Sequence, residues 1–144
     1  MSAEVRMHGG CVARGNAGVL IVGPPGAGKS DLMLRLLNRG FTLVADDQVL
    51  IRDGRASAPP ALSGLLEVRG LGIMRFPCVS DIPLKLVISL TDQPERLPGP
   101  DIHPTLALPV ARLRAADASA PDRVALALDC ALGHVTQIAG AFAA

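Results

Sequence analysis

Short apolar runs alternate with glycine- and proline-rich turns along most of this 144-residue chain. Residues 5–12 have a strand-like pattern that "HGG" interrupts, and "NAGV" predicts a turn into the short buried strand "VLIVG". "FTLVA" and "IPLKLVISL" predict further strands, and "QVLIRDGRASA" predicts a hairpin that turns at Asp53-Gly54. The pattern therefore predicts a first hairpin that leads into a central strand, followed by several more short strands.

Helical spacing is clear in only two stretches. "KSDLMLRLLNRGF" places Leu32, Leu36 and Leu37 on one helical face, with Arg39 in the last turn and Gly40 as the C-terminal cap. "PDRVALALDCALGHVTQIAG" predicts a closing helix that starts with a proline. Between them the chain is mixed over 61–77 and proline-rich over 94–109. The length fits one α/β domain over residues 1–144.

Composition narrows the classes of function. The net charge is +1 without any basic run, and three Phe are the only aromatic residues, so we expect no nucleic-acid partner. The first residues lack a secretory pattern and no apolar run is long enough to span a bilayer, which predicts a cytoplasmic protein without membrane insertion. Cys11, Cys78 and Cys130 lack the spacing of a zinc or redox site, so we expect buried, reduced thiols.

The segment "GPPGAGKS" follows an apolar strand and opens a helix, the setting in which a glycine-rich loop binds phosphate. Its glycines allow successive N–H groups to turn toward phosphate oxygens, its lysine adds positive charge, and its serine offers a hydroxyl to Mg²⁺. We call residues 23–30 the phosphate loop. Its members are Gly23, Pro24, Pro25, Gly26, Ala27, Gly28, Lys29 and Ser30.

Two adjacent acids, Asp46 and Asp47, end the next strand. One could hold the metal or its waters while the other accepts a proton from an attacking hydroxyl, but a solvated pair in a loop is the alternative. Alternation along a strand points them to opposite faces unless the chain has begun to turn. His8 in "MHGG" could approach another segment closely, although a single histidine is more often structural.

Two further stretches carry charge. In "LLEVRGLG", Glu67 and Arg69 would share a face if the stretch is extended, either as part of a site or as a surface ion pair. Arg96, in "QPERLPGP", could reach a transferring phosphoryl group or could be a solvated loop residue. The residues alone leave both choices open.

Taken together, "HGG", "GPPGAGKS", "LVADDQV", "APPALSGLLEVRGLGIM" and "PERLPGP" resemble the catalytic domain of HPr kinase/phosphorylase, a bacterial enzyme that acts on a serine of the phosphocarrier protein HPr. The resemblance runs in order from residue 5 to residue 130. "LLEVRGLGI" shortly after an "ADD" strand is its most particular part, because the phosphate loop alone is shared by many families. We expect a short form that consists of the C-terminal catalytic domain.

The resemblance implies a P-loop nucleotide-binding α/β fold similar to the core of phosphoenolpyruvate carboxykinase, with a mixed β-sheet and few helices. It implies ATP and Mg²⁺ as cofactors. Lys29 and the loop backbone would bind the ATP phosphates, while Ser30 and Glu67 would serve the metal. HPr would be the protein partner in the regulation of carbon metabolism, and the family's rings suggest a homo-oligomer.

The same resemblance gives roles to the remaining site residues. Asp47, supported by Asp46 and His8, would take the proton from the target serine and return it when phosphate is removed. Arg96 would stabilise the transferring group. Which aspartate is the base stays open, because adjacent carboxylates titrate as a coupled pair.

Parts of the chain depart from the family pattern. The stretch after "GLGIM" is compressed, the C-terminal part is shortened, and Arg123 is only a loose counterpart of the family's arginine there. Two alternatives therefore remain beside the kinase hypothesis: a nucleotide-sensing regulatory module without phosphotransfer, and a small-molecule P-loop kinase.

Overall fold

The computed structural model of the protein describes residues 3–143, which form ten strands and two α-helices. The strands are β1 (Val5–His8), β2 (Gly10–Arg14), β3 (Ala17–Val22), β4 (Thr42–Ala45), β5 (Gln48–Arg52), β6 (Arg55–Ser57), β7 (Leu65–Val68), β8 (Gly72–Arg75), β9 (Ile82–Leu90) and β10 (Val110–Leu113). The helices are α1 (Lys29–Leu37) and α2 (Ala120–Ala131), and a short 3₁₀ turn spans Pro60–Leu62. No helix in this range is long and apolar enough to cross a membrane.

Eight strands form one mixed sheet in the order β1-β5-β6-β9-β3-β2-β4, with β10 parallel to the C-terminal half of β9. β7 and β8 form a separate hairpin. β3 is central, as its apolar run predicted, and β2 and β3 form the expected first hairpin. β9, predicted only as a strand, pairs with β3 at the centre of the sheet. The hairpin between β5 and β6 turns at Asp53 and Gly54, which both have positive φ angles. The mixed α/β fold with few helices is therefore confirmed.

Strand direction brings distant parts of the chain to one edge of the sheet. β9 is parallel to β3, β10 is parallel to β9, and β2 is antiparallel to both β3 and β4. β3, β4, β9 and β10 consequently run the same way and end at one edge, which we call the carboxyl edge. The phosphate loop, Asp46 and the connections that begin at residues 91 and 114 all leave the sheet there.

Two apolar cores lie on opposite faces of the strands. On one face Val19, Ile21 and Ile88 pack with the two helices. On the other face Leu20 and Val87 pack beneath the layer of β1, β5 and β6. Neighbouring strand residues alternate between the two cores, as expected for central strands that are buried on both sides.

Several local predictions need correction. α1 ends at Leu37 with Asn38 as its cap, so Arg39 lies beyond the last turn. Its buried face is Leu32, Met33 and Leu36, and Leu37 is only partly buried. The predicted glycine turn does follow the helix, because Gly40 has a φ angle of 89° and the Phe41 N–H donates to the Leu36 carbonyl.

Three further expectations also differ from the structure. α2 ends at Ala131, and 132–140 forms turns rather than more helix, since Gly133 has a positive φ angle. β10 and the hairpin of β7 and β8 were not predicted from their short, polar-flanked sequences. All three cysteines are free, but only Cys11 is fully buried and Cys78 is exposed, so the expected burial is wrong for Cys78.

Candidate active site

The phosphate loop leaves the end of β3 and enters α1 in a conformation that depends on its glycines. Gly26 and Gly28 have φ angles of 80° and 93°, in the left-handed region that favours glycine. A Cβ atom at Gly23 would lie 3.0 Å from the Cβ of Leu90, at the end of β9. The first glycine of the motif is therefore required by packing, and the other two by backbone angle.

Lys29 and Ser30 open α1 at the carboxyl edge. The Nζ of Lys29 donates a hydrogen bond to the Gly23 carbonyl across the loop, at 3.1 Å, which holds its charge beside the backbone turn. The free N–H groups and the dipole of the first helical turn favour an anion at the same place. The predicted phosphate-binding residues are thus brought together.

Asp46 lies directly below the loop. Its carboxylate accepts a hydrogen bond from the Ser30 hydroxyl, at 3.2 Å, and others from the backbone N–H groups of Glu67 and Asp47. Burial raises the pKa of Asp46 above its ordinary value, and these hydrogen bonds offset the effect only in part. Asp46 therefore links the phosphate loop, the end of β4 and the hairpin of β7 and β8.

Asp47 points elsewhere because the chain turns sharply after Asp46. Its φ angle is 72°, and its carbonyl accepts a 3.1 Å hydrogen bond from the N–H of Gly9. His8 Nδ1 lies 3.4 Å from its carboxylate, and both side chains are more than half exposed (61% and 63%). A Cβ at Gly9 would come within 2.7 Å of the Ile21 carbonyl oxygen, so glycine is needed where residue 9 lies against β3.

The two aspartates are therefore different in environment. Asp46 is hydrogen-bonded under the loop, whereas Asp47 faces solvent beside His8. A carboxylate that takes a proton from the hydroxyl of a large acceptor must be within reach of that acceptor. Exposure favours Asp47 for this role and leaves Asp46 beside the phosphate loop.

Glu67 and Arg69 do not form the surface pair considered from the sequence. Glu67 is an exposed residue of β7, and its backbone N–H contacts Asp46, while Arg69 lies beyond the strand end in the turn toward β8. Within residues 3–143 no ion pair joins them, because β7 ends at Val68 and the extended geometry is lost. The hairpin of β7 and β8 instead contacts Asp46 through the Glu67 backbone N–H.

Arg96 lies in the connection that leaves β9 at the carboxyl edge. Its side chain is exposed and makes no hydrogen bond or ion pair with any described residue. The base of this connection is fixed, because the Thr91 N–H donates to the Leu113 carbonyl and Arg114 donates twice to the Asp92 carbonyl. Arg96 thus lies six residues beyond the end of β9, on a connection whose base is fixed to the carboxyl edge.

The oxygen atoms around Ser30 suit Mg²⁺. The Ser30 hydroxyl and the Asp46 carboxylate, which hydrogen-bond to each other, are hard oxygen donors, and Mg²⁺ usually takes one or two carboxylates together with phosphate oxygens and water. Glu67 comes to this place through its backbone N–H, and its own carboxylate is exposed on β7. Within residues 3–143 there is no cluster of three or more His, Cys, Asp or Glu side chains that could hold a metal ion. The residues present are compatible with the predicted metal.

Sequence comparison agrees with this geometry. The family described as "HPr Serine kinase C-terminal domain" matches residues 1–82, which carry His8, the phosphate loop, both aspartates and Glu67. The chain belongs to this family. Arg96 lies beyond the matched residues, so the family match does not bear on it, and only its position in the connection after β9 does.

Curated relatives named "HPr kinase/phosphorylase" cover part of the chain. The protein of Clostridium novyi (strain NT) is 47% identical over 83 residues, which are 55% of this chain and 27% of the relative. That of Cupriavidus metallidurans is 41% identical over 111 residues, 66% of this chain and 34% of the relative. The matched part is therefore only about a third of these relatives or less.

A solved structure extends the likeness beyond residue 82. The Hpr(Ser) kinase/phosphatase from Coxiella burnetii matches with a TM-score of 0.72 and 25% identity, covering 90% of this chain and 92% of that chain. The mixed sheet and both helices thus belong to a known kinase fold.

Sequence reasoning missed residues that hold the loop in place. Ala115, just after β10, lies against Gly28, and Arg35 of α1 donates to the carbonyls of Ala115 and Asp117. Leu90 supports Gly23 in the same way. No pattern marked them, because each acts through a contact far along the chain.

Proposed function

We propose that this chain is an ATP- and Mg²⁺-dependent protein serine kinase domain that phosphorylates HPr. The observation that carries the proposal is the meeting of the phosphate loop with Asp46 and Asp47 at one edge of the sheet, where Ser30 bonds Asp46 and His8 contacts Asp47. Membership of the HPr serine kinase C-terminal domain family supports HPr as the acceptor.

The nucleotide's phosphates would lie on the phosphate loop, with the backbone N–H groups, Lys29 and the start of α1 supplying positive charge. Ser30, Asp46 and Glu67 would hold Mg²⁺, which when bound neutralises charge on the phosphate oxygens. Asp46 then keeps the loop and the hairpin of β7 and β8 together, because its carboxylate accepts hydrogen bonds from both.

Asp47 would act as the base. As the serine oxygen of HPr forms its bond to the γ-phosphorus, the bond to the ADP oxygen breaks and the serine proton passes to the Asp47 carboxylate. His8 orients that carboxylate, and exposure of both groups leaves room for a folded protein acceptor. Arg96, on its tethered connection, would close over the transferring phosphoryl group.

The reverse reaction uses the same groups. Relatives are named kinase/phosphorylase, and a protonated carboxylate can give its proton to the serine oxygen as the bond from that oxygen to phosphorus breaks and the phosphoryl group passes to ADP or inorganic phosphate. We therefore propose both directions for the site, with Asp47 as base in one and acid in the other.

The decisive assay mixes the purified protein with HPr from the same cell, Mg²⁺ and ATP labelled on the γ-phosphate. Mass spectrometry should find one phosphoserine on HPr, which disappears in the HPr variant with alanine at that serine. Nucleotide binding without phosphoserine would instead identify a sensor module. Adding inorganic phosphate to phosphorylated HPr then tests the reverse direction, with loss of the phosphoserine and formation of pyrophosphate as the expected result.

A further inference from the structure

The segment after β10 covers the phosphate loop. Ala115 is 4% exposed, and a Cβ atom added at Gly28 would lie 3.2 Å from its methyl carbon. Gly28 is the cap residue of α1 and carries the positive φ angle that turns the loop into the helix. The position of Ala115 therefore limits the space into which this part of the loop could move.

Arg35 holds that segment against α1. Its guanidinium donates to the carbonyls of both Ala115 and Asp117, and it pairs with Asp31 one turn earlier on the helix at 3.1 Å. The side chain is 29% exposed. A planar guanidinium can satisfy several fixed acceptors at once, which a lysine ammonium on a flexible stem does less rigidly.

Stability alone does not explain an arginine at this place. The Nε of Arg35 is buried and has no hydrogen-bond partner within residues 3–143. Burying an unsatisfied donor costs free energy. The same guanidinium nevertheless joins the helix that begins at the phosphate loop to the segment that covers it.

We propose that Arg35 is a positioning residue for the phosphate loop, acting through Ala115. By fixing Ala115–Asp117 on α1, it keeps Ala115 over Gly28 and so keeps the loop's N–H groups directed at the nucleotide's phosphates. Arg114, the residue before Ala115, donates to the Asp92 carbonyl and so joins the same segment to the base of the connection that carries Arg96. The role rests on the nucleotide-binding part of the proposed function.

The matched control is Arg39, which follows α1 and pairs with Asp122 of α2. Arg35→Met and Arg39→Met each remove one arginine that joins α1 to the region after β10. Only the first lies against the segment that covers Gly28. The two variants therefore separate loop positioning from general support of α1 and α2.

Hydrogen exchange in the nucleotide-free protein tests the positioning directly. We expect the amides of Ala27 and Leu32, which donate to the Pro24 and Gly28 carbonyls, to exchange about tenfold faster in Arg35→Met than in the wild type or in Arg39→Met, since packed contacts of this kind change local equilibria by about that factor. Equal exchange in all three proteins would overturn the proposal. This result does not depend on whether HPr is the acceptor, so it is distinct from failure of the proposed function.

Nucleotide affinity supplies the second readout. Titration with Mg²⁺-ATP should give a Kd about tenfold higher in Arg35→Met and unchanged in Arg39→Met, with Arg35→Lys between them. If Arg35→Met does not fold, Ala115→Val serves in its place, because it leaves Arg35 intact and presses on Gly28. Wild-type affinity in Ala115→Val and in Arg35→Lys would contradict the proposal.

Discussion

The Ser30 hydroxyl donates a 3.2 Å hydrogen bond to the carboxylate of Asp46, which joins the phosphate loop to the end of β4. Asp47, the next residue, turns away and contacts His8 instead. One carboxylate is thus held beside the Ser30 hydroxyl while its neighbour is left to solvent. The sharp turn between them gives two adjacent aspartates different environments.

Asp47→Asn tests the proposed base. Phosphotransfer to HPr should fall by roughly 10²–10⁴-fold, the contribution typical of a general base, while the Kd for Mg²⁺-ATP stays unchanged. Because Asp47 is 63% exposed, the melting temperature should also be unchanged. Labelled phosphate on HPr measures the phosphotransfer, and isothermal titration measures the Kd for Mg²⁺-ATP.

Asp122→Asn is the control, since it alters an exposed aspartate of α2 outside the site. It should retain wild-type activity. Full activity in Asp47→Asn would remove this residue from the mechanism and leave Asp46 as the candidate.

Much of this site could be predicted because its motifs are local. The phosphate loop needs only a strand, three glycines and a helix start, all of which lie within a dozen residues. The turn at Asp47 could not be predicted in this way. Its positive φ angle lies in a three-residue turn closed by the Gln48 N–H and the Asp46 carbonyl, and the Gly9 N–H, thirty-eight residues earlier, donates to the Asp47 carbonyl. Strand alternation alone gives no hint of either hydrogen bond.

The same distinction explains the missed elements of the fold. β10 has four residues after a proline-rich connection, and it becomes a strand only through parallel pairing with β9. Arg35 looked like an ordinary polar residue of an amphipathic helix, because its carbonyl partners follow it by eighty residues or more. Features that depend on such partners carry no local pattern.

Asp46→Asn should raise the melting temperature of the protein while it lowers phosphotransfer. Burial raises the pKa of Asp46, so the folded state binds its proton more tightly than the unfolded chain does. The stability it contributes is complete below the unfolded pKa and is lost as pH rises through the folded pKa. At pH 7, without metal or nucleotide, the amide variant should therefore melt higher.

The expected gain is small, roughly 1–3 °C, because the side chain is only partly shielded from solvent. Differential scanning calorimetry at pH 7 and pH 3.5 measures it, and the difference between variant and wild type should shrink at the lower pH. Phosphotransfer should fall at the same time. A lower melting temperature at pH 7 would show that the hydrogen bonds outweigh burial.

Arg96→Ala tests the exposed guanidinium of the connection after β9. Turnover should fall by at least 10²-fold, since an arginine that stabilises a transferring phosphoryl group contributes strongly, while ATP affinity and the melting temperature change little. Arg52→Ala, an exposed arginine of β5, is the matched control. Equal turnover in the two variants would make Arg96 a solvated loop residue.

Gly10 and Met33 give a test of how α1 is seated on the sheet. A Cβ atom at Gly10 would come within 2.2 Å of the Met33 sulfur, which is fully buried. Gly10→Ala should destabilise the protein by about 1–3 kcal/mol, as overpacking does. In a double-mutant cycle measured by urea unfolding, Met33→Ala should recover part of that loss, giving non-additive free energies. Strictly additive unfolding free energies would mean that α1 moves away from the added methyl group whether or not the Met33 side chain is present.

The cysteines provide a prediction that is independent of activity. Burial raises the pKa of Cys11 from 9.0 to about 12, so its thiolate fraction at pH 8 is roughly a thousandfold lower than that of an ordinary thiol. Cys78 is exposed. An alkylating reagent at pH 8 should therefore modify Cys78 within minutes and leave Cys11 intact in the folded protein, as peptide mass spectrometry would show.

The same pKa predicts an alkaline loss of stability. The folded state keeps a proton on Cys11 that the unfolded chain releases above pH 9, so the contribution is complete below pH 9 and is lost as pH rises toward 12. The chain has no tyrosine, which leaves thiols and lysines as the side chains that titrate in this range. The decline in unfolding free energy from pH 9 to pH 11 should be shallower in Cys11→Ala than in the wild type, and an identical slope would contradict the assignment.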